Sequence, residues 1–259
     1  MIYGDGFLNV LNKEILSKVP EVTLIFWIIK ILATTLGETA GDTLSMSMNL
    51  GYLYSTGIFA IFFSIAVISQ IYTKNFHPIL YWVTIIATTT LGTTIADFVD
   101  RSLGLGYAGG TTILLTLLLA SLFVWHRTMG SIAVDTVSSP KSEVFYWVTI
   151  MFSQTLGTAL GDWVAGTQGL GYLASALIFS CILATIALAY YKTSISRVYL
   201  FWMAFIFTRP LGAVVGDFLD KPISEGGLGL DRYMATATLI FLVIFFIFSF
   251  KQKASKRVH

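Results

Sequence analysis

Cysteine, proline and charge are what this 259-residue chain has little of. Its one cysteine, Cys181, excludes an internal disulfide and any multi-cysteine metal site. Its three histidines, His77, His126 and His259, fall in expected loops or helix ends, which argues against haem ligation or a zinc site inside the fold. The first 20 residues, "MIYGDGFLNVLNKEILSKVP", lack a basic start, a continuous apolar run and a cleavage site, so no cleavable signal peptide is expected. A net charge of +2 is too small to suggest a nucleic-acid partner. Only 12% of residues are charged, whereas a soluble domain carries about 25%. With 56% hydrophobic residues and a mean hydropathy of +0.78, the chain reads as a polytopic membrane protein whose surroundings are the lipid bilayer.

What is abundant is repetition. Four segments align without gaps: "FWIIKILATTLGETAGD" (26–42), "YWVTIIATTTLGTTIAD" (81–97), "YWVTIMFSQTLGTALGD" (146–162) and "FWMAFIFTRPLGAVVGD" (201–217). Each carries Trp, then Leu-Gly, then a small residue and Asp at identical spacing, and such a register marks an internal repeat. Ten residues beyond Asp stands the Tyr of "LGY" (Tyr52, Tyr107, Tyr172); the fourth copy reads "GGLGLDRY", with about three residues inserted. The steps of 55, 65 and 55 residues between copies suggest two halves, each a tandem pair. A second apolar run follows each LGY, and each is near the ~20 residues that span a bilayer.

The expected fold is therefore an all-α integral membrane protein. Eight transmembrane helices would come from four same-orientation two-helix repeats in a pseudo-fourfold or two-by-two bundle. The expected division is a cytoplasmic segment 1–20, repeats over 21–75 and 76–127, a cytoplasmic linker 128–144, repeats over 145–192 and 193–250, and a basic tail 251–259. Basic residues crowd the Trp side (Lys13, Lys18, Lys74, Arg127, Lys141, Lys192, Arg197, Lys251, Lys253, Lys256, Arg257). The LGY side has only Arg101, Lys221 and Arg232, beside acids. The positive-inside rule then puts both termini in the cytoplasm, with the Trp residues as an inner aromatic belt.

Each Asp lies 15 residues past its Trp, about 22 Å along a helix. That is deep in a hydrocarbon core of about 30 Å, where an ionisable residue suggests function. Gly37/Gly41, Gly92/Ala96, Gly157/Gly161 and Gly212/Gly216 form small-xxx-small pairs, which let the first helices of the repeats pack closely around a centre. Thr35, Glu38 and Asp42 share one helix face, as do Thr90 with Asp97 and Thr155 with Asp162. Oxygen donors of this kind suit Mn²⁺, Mg²⁺ or Ca²⁺. Glu38, Asp42, Asp97, Asp162 and Asp217 are the candidate metal ligands or proton carriers. Thr35, Thr90 and Thr155 are the candidate secondary ligands, and Arg209 and Lys30 the compensating charges. Pro210 is expected to kink its helix and free the carbonyl of Ile206.

Blander roles compete. Each Asp could stop its helix and bind the LGY loop, and Glu38 could be a structural partner of Lys30 or Arg209. Lys30, three residues past Trp27, is placed to snorkel. Asp100 and Asp220, followed by Arg101 and Lys221, read as solvated surface pairs in outer loops.

The fourfold "TLG-x-x-x-GD … LGY" pattern, "ATTLGETAGD" above all, resembles a family of bacterial inner-membrane proteins catalogued as uncharacterised and membrane-anchored. The likeness spans nearly the whole chain and implies a multi-pass protein of the bacterial inner membrane. A more distant likeness, carried by "GETAGDT" at 37–43, is to the calcium and manganese exchangers with a Glu-x-Gly-Asp-Lys/Arg-Ser/Thr motif. Here one extra residue separates Glu from Gly, and no basic residue follows Asp. The leading expectation is a transporter, not an enzyme, that exports Mn²⁺ or another hard divalent ion, with proton coupling and no organic cofactor. Its partners are metal ions and protons; its oligomeric state is left open. A structural or sensor protein with an architectural repeat is the alternative. An intramembrane aspartyl protease is less favoured, because the Gly-x-Gly-Asp signature is missing and four equivalent Asp residues fit a dyad poorly.

Overall fold

The computed structural model describes residues 17–167 and 169–256. Lys13, Arg257, His259 and most of the segment 1–20 lie outside them. Eight long helices account for the described chain, with no strand among the described residues beyond an isolated bridge between Pro20 and Ala254. They are α1 (Leu24–Asp42), α2 (Gly51–Tyr72), α3 (Pro78–Asp97), α4 (Gly106–Met129), α5 (Pro140–Asp162), α6 (Gly171–Lys192), α7 (Arg197–Asp220) and α8 (Arg232–Ser249). Seven are long and apolar enough to cross a membrane; α5 is as long but more polar.

Local chemistry fixes the starts. Thr23, His77 and Ser139 cap α1, α3 and α5 by accepting a backbone N–H, and Pro78 and Pro140 open the last two helices. The glycines of LGY hold the turn before α2, α4 and α6 with positive φ (Gly51 73°, Gly106 68°, Gly171 73°), a conformation that costs a side chain. In the fourth repeat Asp231 caps α8 instead, accepting from the Met234 N–H at 2.9 Å.

The odd-numbered helices bury their polar faces and form a closed ring, in the order α1, α3, α5, α7 and back to α1. The even-numbered helices lie outside, rich in exposed apolar side chains such as Leu53, Ile61, Leu177 and Phe241. Each packs chiefly on the first helix of the following repeat: α2 on α3, α4 on α5, α6 on α7, and α8 on α1. This staggering closes the circle.

Glycines set the ring's radius. A Cβ on Gly37 would collide with Thr89 on α3, one on Gly92 with Gln154 and the Thr155 backbone on α5, one on Gly157 with Arg209 on α7, and one on Gly212 with Thr34 on α1. Each Leu-Gly glycine thus receives the residue three positions before the matching glycine of the next helix. One turn on, Gly41 receives Thr93 and Gly216 receives Glu38. Close approach through small residues is how helices associate where lipid removes the hydrophobic drive.

The Trp side departs from the expected belt. Trp82, Trp147 and Trp202 are buried, in one cluster with Phe26, Tyr81, Tyr146, Phe201 and Phe205. The Tyr81 and Tyr146 hydroxyls meet at 2.6 Å. Straps cover this plug, which is why the indoles do not reach the surface. Trp82 Nε1 donates to Gln252 (2.7 Å) and Trp202 Nε1 to the Ile132 carbonyl (2.9 Å). Residues 17–21 pair with 253–255, and Lys18 reaches Glu143 at 2.6 Å. Helix α7 runs on through Pro210 to Asp220.

Candidate functional site

In the first three ring helices the α-helix ends at its Asp, but the helical path does not. Each continues through a π-helical turn: Thr43–Ser47, Phe98–Ser102 and Trp163–Thr167. In the fourth repeat the α-helix itself runs to Asp220. The α-helix thus gives way at Asp in three repeats, as the helix-stop reading expects, but the chain passes into a wider turn rather than straight into the LGY loop. Wide turns of this kind cluster at functional sites, and here one of them carries Arg101 back towards the ring.

Asp42, Asp97, Asp162 and Asp217 are all buried and converge at one level of the bundle. Two cations clamp them. Arg101 Nε lies 2.9 Å from Asp97 Oδ1, and its Nη2 donates to Asp162 Oδ2 at 3.0 Å. Lys221 Nζ donates to Asp42 Oδ2 at 2.5 Å and lies 3.2 Å from Asp217 Oδ1. Each cation joins its own repeat's Asp to that of the next repeat, so the two clamps follow a twofold pattern. Repeats 1 and 3 have Met46 and Gly166 at the matching position. Burial pushes the Lys221 ammonium down, but Asp217 and Asp42 outweigh it and hold it well above the ordinary lysine value.

About two turns before Asp217 on α7, Arg209 is fully buried. Its Nη2, with two N–H groups to share, lies within hydrogen-bond distance of Glu38 Oε2 (3.0 Å), Thr93 Oγ1 (2.6 Å) and Thr158 Oγ1 (2.5 Å). Thr93 and Thr158 occupy the register of Glu38 in repeats 2 and 3, and that register was their only signal in the sequence. Glu38, Asp162 and Asp217 each offer a carboxylate oxygen within 4.8 Å of the others, and so do Asp42, Asp217 and Asp220. Asp42 Oδ1 and Asp162 Oδ1 are buried with no hydrogen-bond partner among the described residues.

Several sequence readings change here. Asp100 and Asp220 are buried, not solvated: the outer helices cover them, Asp100 lying against Gly110 on α4 and Asp220 pairing with Arg232 on α8 at 3.0 Å. Their basic neighbours, Arg101 and Lys221, are the clamp residues that the sequence reading missed. The i,i+4 spacing after Asp97 and Asp217 was the signal that could have found them. Lys30 neither snorkels nor pairs with Glu38. It is fully buried, with Nζ 4.2 Å over the Phe205 ring and no hydrogen-bond partner among the described residues, because the plug closes over it. Thr35, Thr90 and Thr155 are buried but donate to carbonyls of their own helices (Ile31, Ile86, Met151), and no hydrogen bond joins them to the carboxylates.

On the LGY side a polar vestibule of about 450 Å³ opens above the ring, lined by Arg101, Lys221, Arg232, Tyr107, Tyr172 and Glu225 among others. The opposite end is closed by the aromatic plug.

Fold and site together define a helical, repeat-built membrane protein with a charged core. The four segments 25–76, 80–131, 145–196 and 200–257 each match the family described as Repeat of Unknown Function (DUF347), and the chain belongs to that family. No curated protein and no solved structure matches it, and nothing in these comparisons links it to the calcium and manganese exchangers.

Proposed function

We propose that this protein is a transporter of a hard divalent cation, Mn²⁺ favoured, with all eight helices spanning the bacterial inner membrane and both termini in the cytoplasm. The observation that carries the reading is the convergence of Glu38, Asp162 and Asp217 on one buried point inside the ring. Three hard oxygen donors from three helices form a partial shell for such an ion, and water or the unpartnered Asp162 Oδ1 can complete it.

Charge supports the same reading. Five carboxylates (Glu38, Asp42, Asp97, Asp162, Asp217) face three cations (Arg101, Lys221, Arg209). Two protons or one divalent ion neutralise the same excess, which is what proton-coupled exchange requires. Burying an uncompensated charge costs several kcal/mol, so the site favours being loaded with one or the other. An open vestibule on one side and a plug on the other fit one limb of alternating access.

A second reading, an architectural core with no cargo, is favoured by the fact that every one of the five acids already has a basic partner. Isothermal titration of the purified protein with Mn²⁺ at pH 7, with Mn²⁺ uptake into proteoliposomes under a proton gradient, decides between them. Saturable binding and gradient-driven flux, both lost in Glu38→Gln and Asp217→Asn at unchanged melting temperature, support transport. Absence of binding in the wild type overturns it.

A further inference from the structure

Arg101 and Lys221 make the same kind of clamp but are held differently. Both border the vestibule, but Lys221 is the more enclosed: its side chain is 8% exposed and its Nζ also lies 3.9 Å from the Met46 sulfur. The Arg101 side chain is 34% exposed and stands between the vestibule and the ring. It sits on a π-helical turn rather than a regular helix. A second resting place is already in contact with it. Its Nη1 donates to the Tyr52 hydroxyl at 3.2 Å, and its guanidinium lies 5.9 Å from the Tyr52 ring centre. The oxygen it occupies, Asp162 Oδ2, belongs to a member of the Glu38–Asp162–Asp217 convergence.

We propose that Arg101 is a tethered stand-in for the transported cation. It neutralises Asp162 while the site is empty and yields that carboxylate when an ion arrives from the vestibule. On binding, the Nη2–Asp162 bond breaks, Asp162 turns both oxygens to the ion, and the guanidinium swings onto Tyr52 while keeping its tie to Asp97. On release it returns, so Asp162 is not left without a cation. Two cations sharing one carboxylate is an electrostatic competition, and the tether sets its strength by keeping the local concentration of guanidinium high. Lys221, enclosed by Asp42 and Asp217, stays in place and holds the other half of the ring. The inference rests on the transporter reading and adds to it the residue that tunes affinity.

The test is Mn²⁺ titration of the detergent-purified full chain at fixed pH and ionic strength, beside a melting curve. Arg101→Gln removes the competitor and should tighten Mn²⁺ binding by tenfold or more. Arg101→Lys keeps a charge, and its affinity should lie closer to wild type than to Arg101→Gln. Tyr52→Phe removes the hydroxyl that receives the displaced guanidinium, and should weaken binding several-fold, with the melting curve reporting any change in the fold. A role confined to joining repeats 2 and 3 predicts the opposite for Arg101→Gln: a lower melting temperature with equal or weaker binding. That result, or unchanged affinity in Tyr52→Phe if Arg101→Gln does not fold, overturns the inference while leaving wild-type binding intact. Absence of Mn²⁺ binding in both wild type and Arg101→Gln overturns the transporter reading and this inference with it.

Discussion

Lys221 Nζ lies 2.5 Å from Asp42 Oδ2, so the last ring helix is tied to the first by an ion pair spanning 179 residues of chain. A ring of four helices needs a contact of this kind between its first and last members, and here a buried charge supplies it. The same relationship recurs half a turn away, where Arg101 joins Asp97 to Asp162. Closure and the candidate site are built from the same atoms.

Breaking that tie should therefore be expensive. Lys221→Met strands two buried carboxylates and should cost about 3–5 kcal/mol, the usual penalty for removing one member of a buried pair. Adding Asp42→Asn should recover part of the loss. Thermal unfolding of both single variants and the double variant in detergent measures the coupling; additive losses would show that the pair does not close the ring.

The glycine contacts predict steric sensitivity at a position with no chemistry of its own. A Cβ on Gly92 would stand 2.9 Å from the Thr155 nitrogen and 3.0 Å from the Gln154 carbonyl carbon. Backbone cannot yield as a side-chain tip can, so Gly92→Ala should destabilise by about 1–3 kcal/mol. Gly57, with open space around it, is the control, and Gly57→Ala should melt at or above the wild-type temperature. Equal melting temperatures for the two variants would show that α3 and α5 are farther apart than described.

Ion binding should rank by geometry rather than by repeat equivalence. Glu38→Gln and Asp217→Asn should each weaken Mn²⁺ binding by tenfold or more, because both belong to the deeper convergence and Asp217 to the outer one as well. Asp42→Asn, in the outer convergence alone, should cost less, and Asp97→Asn, in neither, least. Titration of the four variants at matched folding, checked by melting curves, gives the order. Equal losses at all four positions would contradict an off-centre site.

Topology is tested by reporter insertion. Fusions after Lys74, Ser139 and Lys192 should report the cytoplasm, and insertions at Gly104 and Ser224 the outside. A reversal between successive loops would contradict eight spans, and the more polar α5 is where it would first show.

The sequence by itself determined the repeat, the helix pairs and the inward polar face. Each follows from local pattern: apolar runs of membrane length, fixed Trp-to-Asp spacing, and small residues four apart. It also marked Glu38 and the four Asp residues, because a carboxylate within an apolar run is conspicuous wherever the chain goes. Only the tertiary structure decided what neutralises them. Arg101 and Lys221 look like loop residues in sequence, and a wide turn in one case and a loop after α7 in the other fold them back onto the ring. Lys30 shows the same limit from the other side. Three residues from a Trp it reads as an interfacial lysine, yet straps from both ends of the chain and the linker bury that Trp layer and Lys30 with it. Helix identity is written in contacts a few residues apart. Charge pairing depends on which helices become neighbours, and that is fixed only when the glycines let the ring close.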